Sequence, residues 1–216
     1  MKLLLTSAGI SNQSIENALQ SLSEKPLKEL KVAFIPTAAN WGDGDKGWLI
    51  DDLVKCQEVF SEVDIVDVSA LPMENWKPRF ENADVLFVEG GYDFHLMRSI
   101  EKSGLKELLP KLLEEKIYVG VSAGSVVMTP SLFLEEGKLL YDEELEGWET
   151  SEGLSLVDFC IVPHYNSDSF PNVNDENVAE IAKTIEQPIY VFDDNSAIKI
   201  VDGEIEVISE GKWKKF

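Results

Sequence analysis

Residues 120–124 read Gly120-Val121-Ser122-Ala123-Gly124, the G-x-S-x-G spacing of a nucleophile elbow. The chain must reverse sharply between strand and helix there, and glycine at both ends keeps Cβ atoms out of the turn. The same five letters also fit a plain βα turn. The elbow is favoured by an apolar strand before it, Ile117-Tyr118-Val119, and a small-residue helix start after it. A serine hydroxyl attacks carbonyls only when a base removes its proton. The chain has two histidines, His95 and His164. His164 follows Pro163 at the end of the apolar run Phe159–Val162, and strand C-termini of a parallel sheet line the ligand crevice. Ser122 also follows a strand, so the two can meet and His164 is the candidate base. His95 sits among Phe94, Leu96 and Met97 and reads as a packing or supporting residue. The acid that would orient the base stays open among Glu135, Glu136, Asp142, Glu143, Glu144 and Asp158. For an oxyanion hole, Ala123 supplies the N–H after the nucleophile. The Gly90-Gly91 pair, after another apolar run, can bring a second N–H close to a substrate carbonyl.

The elements that must position these groups alternate. Lys2–Leu5, Lys31–Ile35, Val63–Val68, Asp84–Val88 and the elbow strand read as strands. Helical periodicity falls on Ser14–Leu22, on a segment from Asp45 or Lys46 to Val59, on Phe94–Ile100 and on Leu105–Glu115. Leu71–Phe80, with two prolines, reads as a loop. Ser131–Glu152 is acidic and without a clear period, and reads as short strands or a loop over the sheet edge. Asn177–Ile185 reads as a helix. Ile189–Phe192, Ala197–Val201 and Ile205–Ile208 read as strands, the last two joined by an Asp202-Gly203 turn. The pattern predicts a single α/β domain over 1–216, a three-layer α/β/α sandwich with a mostly parallel central sheet.

Composition narrows the partners. The 216 residues carry a net charge of −21, which repels nucleic-acid phosphates, so no nucleic-acid partner is expected. No stretch approaches the roughly 20 apolar residues of a membrane span. Met1–Leu5 is too short for a signal-peptide core and reads as a first strand. Cys56 and Cys160 have no metal or disulfide spacing and read as reduced core residues of a cytoplasmic protein. No cofactor or metal is expected.

Several stretches together resemble the dipeptidase E (aspartyl dipeptidase) family of serine peptidases. They are Leu3–Ser7, Ile35–Ala38, Gly90–Phe94, Gly120–Gly124, Pro163–Tyr165 and Asp193–Ala197, in family order and spread over most of the chain. The resemblance implies a fold like class I glutamine amidotransferases, within the flavodoxin-like type. It implies Ser122 as nucleophile, His164 as base, and Gly91 with Ala123 as oxyanion hole. It places the acid shortly after the elbow helix, at Glu136 first and Glu135 second. It also implies hydrolysis of dipeptides with N-terminal aspartate, with Gly90, Tyr92 and Asp93 shaping the substrate site. Tyr92-Asp93 stands where the family commonly has Asn-Thr. An acidic substrate near so acidic a chain would need a local cation, for which Arg98 and Arg79 are the first candidates and Lys77 the next. The expected partner is a small peptide, and the expected state a monomer or homodimer. Two other readings share the scaffold: a different esterase or amidase, or a non-enzymatic small-molecule binder in which Ser122 and His164 lie too far apart to interact.

Overall fold

The computed structural model describes residues 1–133, 136–141 and 151–216; the side chain of Glu136 is not among the described parts. The strands are β1 (Lys2–Thr6), β2 (Lys31–Ile35), β3 (Glu62–Ile65), β4 (Val85–Val88), β5 (Ile117–Val121), β6 (Cys160–Val162), β7 (Ile189–Phe192), β8 (Ser196–Val201), β9 (Glu204–Ser209) and β10 (Trp213–Lys215). Seven form the main sheet in the order β3-β2-β4-β5-β1-β8-β9. The first five run parallel, and β8 and β9 close that edge antiparallel. The β8–β9 hairpin turns at Asp202-Gly203, with φ of 51° and 90°, the left-handed pair that an Asp-Gly turn supplies. A smaller sheet, β10-β7-β6, stands beside the main one. β10 is not among the strands expected from sequence, and the one central sheet expected there does not set β6 and β7 apart.

The helices are α1 (Gln13–Ser21), α2 (Gly47–Val59), α3 (Met73–Asn82), α4 (Asp93–Ser103), α5 (Leu105–Leu112), α6 (Ala123–Val126), α7 (Glu136–Tyr141) and α8 (Asp175–Ile181). Helices cover both faces of the main sheet, while α7 and α8 pack with the small one, and alternation along β1 shows how the two faces are filled. Leu3 and Leu5 join Trp76, Phe80 and Leu96 in one core, while Leu4 joins Leu19, Phe34 and Phe87 in the other. The small sheet has its own cluster, including Cys160, Val162, Val178 and Val191. Both cysteines are buried and unbridged.

The segment expected to be a loop, Leu71–Phe80, is mostly α3 despite Pro78 inside it. Proline removes one intrahelical hydrogen bond and costs about 3 kcal/mol. Trp76 and Phe80, four residues apart on one face, are both fully buried, and each contributes about 2–3 kcal/mol through burial. Tertiary packing therefore outweighs the local penalty. Part of the acidic stretch after Pro130 is helical as well, in α7.

Candidate active site

The elbow is held from both sides. Ser122 has φ 45° and ψ −107°, a conformation that costs a side-chain-bearing residue about 1–3 kcal/mol. Its N–H donates to the Thr6 carbonyl at 3.0 Å, and the Thr6 hydroxyl donates to the Gly120 carbonyl at 2.8 Å. The Ser125 hydroxyl donates to the same Thr6 carbonyl at 2.8 Å, and the buried Tyr118 hydroxyl donates to Gly124 O at 2.6 Å. A Cβ at Gly120 would sit 2.6 Å from Gly124 O, and one at Gly124 would sit 2.0 Å from Val88 O. Both glycines are therefore required by close backbone approach.

The small sheet delivers the partners. β6 and β7 pair in parallel with Val162 opposite Val191, so both strands leave the sheet at the same edge. His164 follows β6 by two residues and Asp194 follows β7 by two, which brings their side chains together. His164 Nδ1 lies 2.7 Å from Asp194 Oδ1, and Nε2 lies 2.9 Å from Ser122 Oγ. A carboxylate on Nδ1 fixes the proton there and leaves the Nε2 lone pair for the serine hydroxyl. The ring stacks on Phe170 at 4.4 Å between centroids. Ser7, fully buried, fastens the pair: its hydroxyl donates to Asp194 Oδ1 at 2.7 Å and accepts from the His164 backbone N–H at 2.8 Å. Burial alone would raise the Asp194 pKa, but hydrogen bonds from His164, Ser7 and Ser167 outweigh it and hold the carboxyl below its ordinary value. The neighbouring Asp193 has a different job. It accepts from Asn195 N–H, the Ser196 hydroxyl and Lys212 N–H, and so builds the loop that presents Asp194.

The acid position departs from expectation. The Nδ1 face of His164 is occupied by Asp194. Glu136 opens α7, its side chain lies outside the described residues, and Glu135, Asp142, Glu143 and Glu144 lie outside them altogether. Asp194 and Ser7 stand in two of the stretches that carry the family resemblance, but the sequence reading gives neither a role in the site. Signals existed for both: Asp193-Asp194 directly follows the apolar strand β7, and Ser7 directly follows β1.

Ser122, His164 and Asp194 open on a cavity of about 380 Å³ whose lining also includes Ser7, Trp48, Asp52, Gly90, Gly91, Ser167 and Phe170. Gly91 has φ 130°, and a Cβ there would lie 2.4 Å from the Ala38 backbone, so the loop closes only with glycine. Ala123 begins α6, where an N–H has no acceptor inside the helix. The other expected substrate residues fall elsewhere. Tyr92 precedes α4 with its ring against Gly42, and the Asp93 carboxylate accepts from Phe94 N–H at 2.7 Å. Arg98 lines a separate cleft with His95 and Lys102. Arg79 is paired with Asp64, its Nε at 2.7 Å, and Lys77 with Glu81 at 2.6 Å. Among the described residues, no cation lines the Ser122 cavity and no cluster of three or more His, Cys, Asp or Glu side chains is placed to hold a metal. No described helix is long and apolar enough to cross a membrane.

Comparisons with known proteins agree with this architecture. The profile of peptidase family S51 matches residues 3–208. An uncharacterized peptidase of Listeria innocua is 26% identical over 191 residues, covering 84% of this chain and 86% of the relative. A peptidase E of a Nostoc species is 28% identical over 204 residues, covering 92% and 78%. The fold matches a crystal structure from Listeria monocytogenes, provisionally assigned to peptidase E, with a TM-score of 0.80 at 22% identity, covering 97% of this chain and 98% of that one. It also matches a peptidase from an acI-B1 actinobacterium with a TM-score of 0.64 at 15% identity. With a family match over nearly its whole length and a serine, histidine and carboxylate in hydrogen-bonded series, the chain belongs to peptidase family S51 and is a peptidase.

Proposed function

We propose that the chain hydrolyses short peptides through a serine acyl-enzyme, with Ser122 as nucleophile, His164 as general base and acid, and Asp194 as the orienting carboxylate. The observation that carries this reading is the pair of contacts on one imidazole, 2.9 Å to Ser122 Oγ and 2.7 Å to Asp194 Oδ1. Ser122 Oγ attacks the scissile carbonyl carbon while its proton passes to His164 Nε2. Asp194 stabilises the imidazolium so formed without taking its proton. The oxyanion is met by the N–H groups of Gly91 and Ala123, at the mouth of the α6 helix. His164 then gives its proton to the departing amine, and the acyl group stays on Ser122. Water, deprotonated by His164, releases the acid and restores the hydroxyl. The 2.9 Å contact argues against the non-enzymatic reading, which needed the two groups apart.

N-terminal aspartate is the finer substrate reading. The described cavity lining offers it hydroxyls and backbone N–H groups but no lysine or arginine, while Asp52 and Asp194 add negative charge. We therefore expect turnover of a neutral dipeptide such as Ala-Leu at least as fast as that of Asp-Leu. Hydrolysis of both should disappear in Ser122→Ala. A strong preference for Asp-Leu would mean that backbone and hydroxyl donors suffice to hold the second carboxylate. Undiminished hydrolysis in Ser122→Ala would remove the nucleophile assignment.

A further inference from the structure

Asp52, which lines the triad's cavity, and Glu89 behind it form a carboxyl pair that the mechanism does not use. Glu89 follows β4 and directly precedes Gly90 of the cavity lining. Its side chain is fully buried, and neither carboxyl oxygen meets a fixed hydrogen-bond donor. Its neighbour is the carboxyl of Asp52, which lines the cavity itself. Asp52 lies on α2 one turn after Trp48 and one turn before Cys56, so the three share a face. The Asp52 carboxylate also packs directly on Gly9, where a Cβ would stand 2.5 Å from Oδ1. Two carboxyl groups so placed cannot both ionise cheaply and instead share a proton. Burial first, and the Asp52 charge second, raise Glu89 well above the ordinary carboxylate range. Burial likewise raises Asp52, and Asp51 adds to it, while the contact with Glu89 acts the other way. Both carboxyls are thus harder to ionise than isolated ones, Glu89 by burial above all, and the charge the pair carries faces the cavity through Asp52.

Nothing described nearby neutralises that charge. Lys55, on the same helix, is paired with Glu16 at 2.9 Å, and Lys46 lies over the Trp48 ring. A buried carboxyl with no donor, behind a carboxylate that opens on the nucleophile's cavity, is half of an ion pair whose other half comes with the ligand. We propose that Asp52, supported by Glu89, is the subsite for the α-ammonium group of the peptide substrate. It rests on the peptidase reading above and adds to it the residues that recognise the unblocked N-terminus of the short peptide substrate. Trp48, one turn before Asp52, also lines the cavity and offers the first residue an apolar surface. Such a subsite suits a strongly acidic protein, because the long-range field then attracts the group that must be bound.

The test compares Ala-Leu with N-acetyl-Ala-Leu, which lacks the ammonium group, in wild type, Asp52→Asn, Glu89→Gln and Glu89→Ala. Each peptide is measured both for turnover and for its power to protect Ser122 from a neutral fluorophosphonate. Protection reads binding even where no cleavage occurs. Losing one charge-assisted hydrogen bond corresponds to about ten- to hundredfold in affinity. Wild type should bind and cleave the free peptide at least tenfold better than the acetylated one. Asp52→Asn should raise KM for Ala-Leu about tenfold or more and erase the difference between the two peptides, with fluorophosphonate labelling reduced less than the peptide reaction. Glu89→Gln, which can still donate to Asp52, should keep more of the discrimination than Glu89→Ala. Equal protection by both peptides in wild type, or discrimination that survives in Asp52→Asn, overturns the subsite. Failure of wild type to label at Ser122 overturns the nucleophile reading instead, so the two can be told apart.

Discussion

Two clefts of the molecule each contain a histidine stacked on an aromatic ring, and Gly90 and Gly91 line only one of them. His164 stacks on Phe170 at 4.4 Å and His95 on Trp41 at 5.0 Å. The cleft around His95 is the wider and is lined by Arg98 and Lys102, with Ser69, Ser99 and Ser103 as its hydroxyls. The cavity around His164 is smaller, has no described cation, and holds two carboxylates. Burial lowers the pKa of His95, with Arg98 and Lys102 acting in the same direction and Asp67 against them. His164 instead carries a carboxylate on one ring nitrogen and a strained serine on the other. Aromatic stacking and a concave surface are common to both. What separates them is a carboxylate that fixes the tautomer and a hydroxyl at hydrogen-bond distance, and only those two features make a base.

The comparison breaks most visibly at the nucleophile. Ser122→Ala and His164→Ala should each reduce kcat by about a millionfold, as removal of a serine or histidine from a working triad does. The measurement is Ala-Leu turnover alongside a thermal melt showing an intact fold. Next comes Asp194→Asn, expected to cost about ten-thousandfold in kcat because the histidine tautomer is no longer fixed. Ser7→Ala removes one hydrogen bond to Asp194 and one from the His164 backbone. At about 1 kcal/mol for each bond, kcat should fall about ten- to thirtyfold with KM little changed. His95→Ala should alter kcat by no more than a few-fold. A loss at His95 comparable with that at His164 would place the chemistry in the wrong cleft.

A smaller effect concerns stability. Glu89 is held above its ordinary pKa by burial and by Asp52, and Cys56 faces the same pair with its thiol raised by burial and by both carboxyls. In the unfolded chain Glu89 ionises near pH 4.3, about its reference value. Above that pH the folded state holds the extra proton, so stability falls as pH rises towards the folded value. Asp194, lowered in the fold, has the opposite sign: its contribution is present above the unfolded pKa and is lost as pH falls through the folded one. Glu89→Gln should therefore melt higher relative to wild type at pH 8 than at pH 5. A difference independent of pH would mean that Glu89 is ionised in the fold.

Much of this architecture was legible because it is local. The alternating strands of the main sheet, the elbow at Ser122 and the proline-led His164 each announce themselves within a few residues. α3 was hidden because Pro72 and Pro78 argue for a loop, while the burial of Trp76 and Phe80 that overrides them is a tertiary fact. The second sheet was hidden because Cys160–Val162 and Ile189–Phe192 are as apolar as the strands of the first, and periodicity cannot say which sheet a buried strand joins. Asp194 was hidden for the same reason, since the pairing of β6 with β7 brings it to His164 from thirty residues away. It also stands among 40 acidic residues, nearly all with nothing in the sequence to distinguish them. Asp52 and Glu89 become visible only once burial and missing donors are known.

The most direct test of the account is the rate at which a fluorophosphonate labels Ser122 in wild type, Asp194→Asn and Glu136→Gln, followed by intact mass. Labelling depends on activation of the serine and not on peptide recognition. The account predicts that Asp194→Asn slows labelling by orders of magnitude while Glu136→Gln stays close to wild type. The reverse pattern, or wild-type labelling in Asp194→Asn, would contradict the assignment of Asp194 as the carboxylate that makes His164 a base.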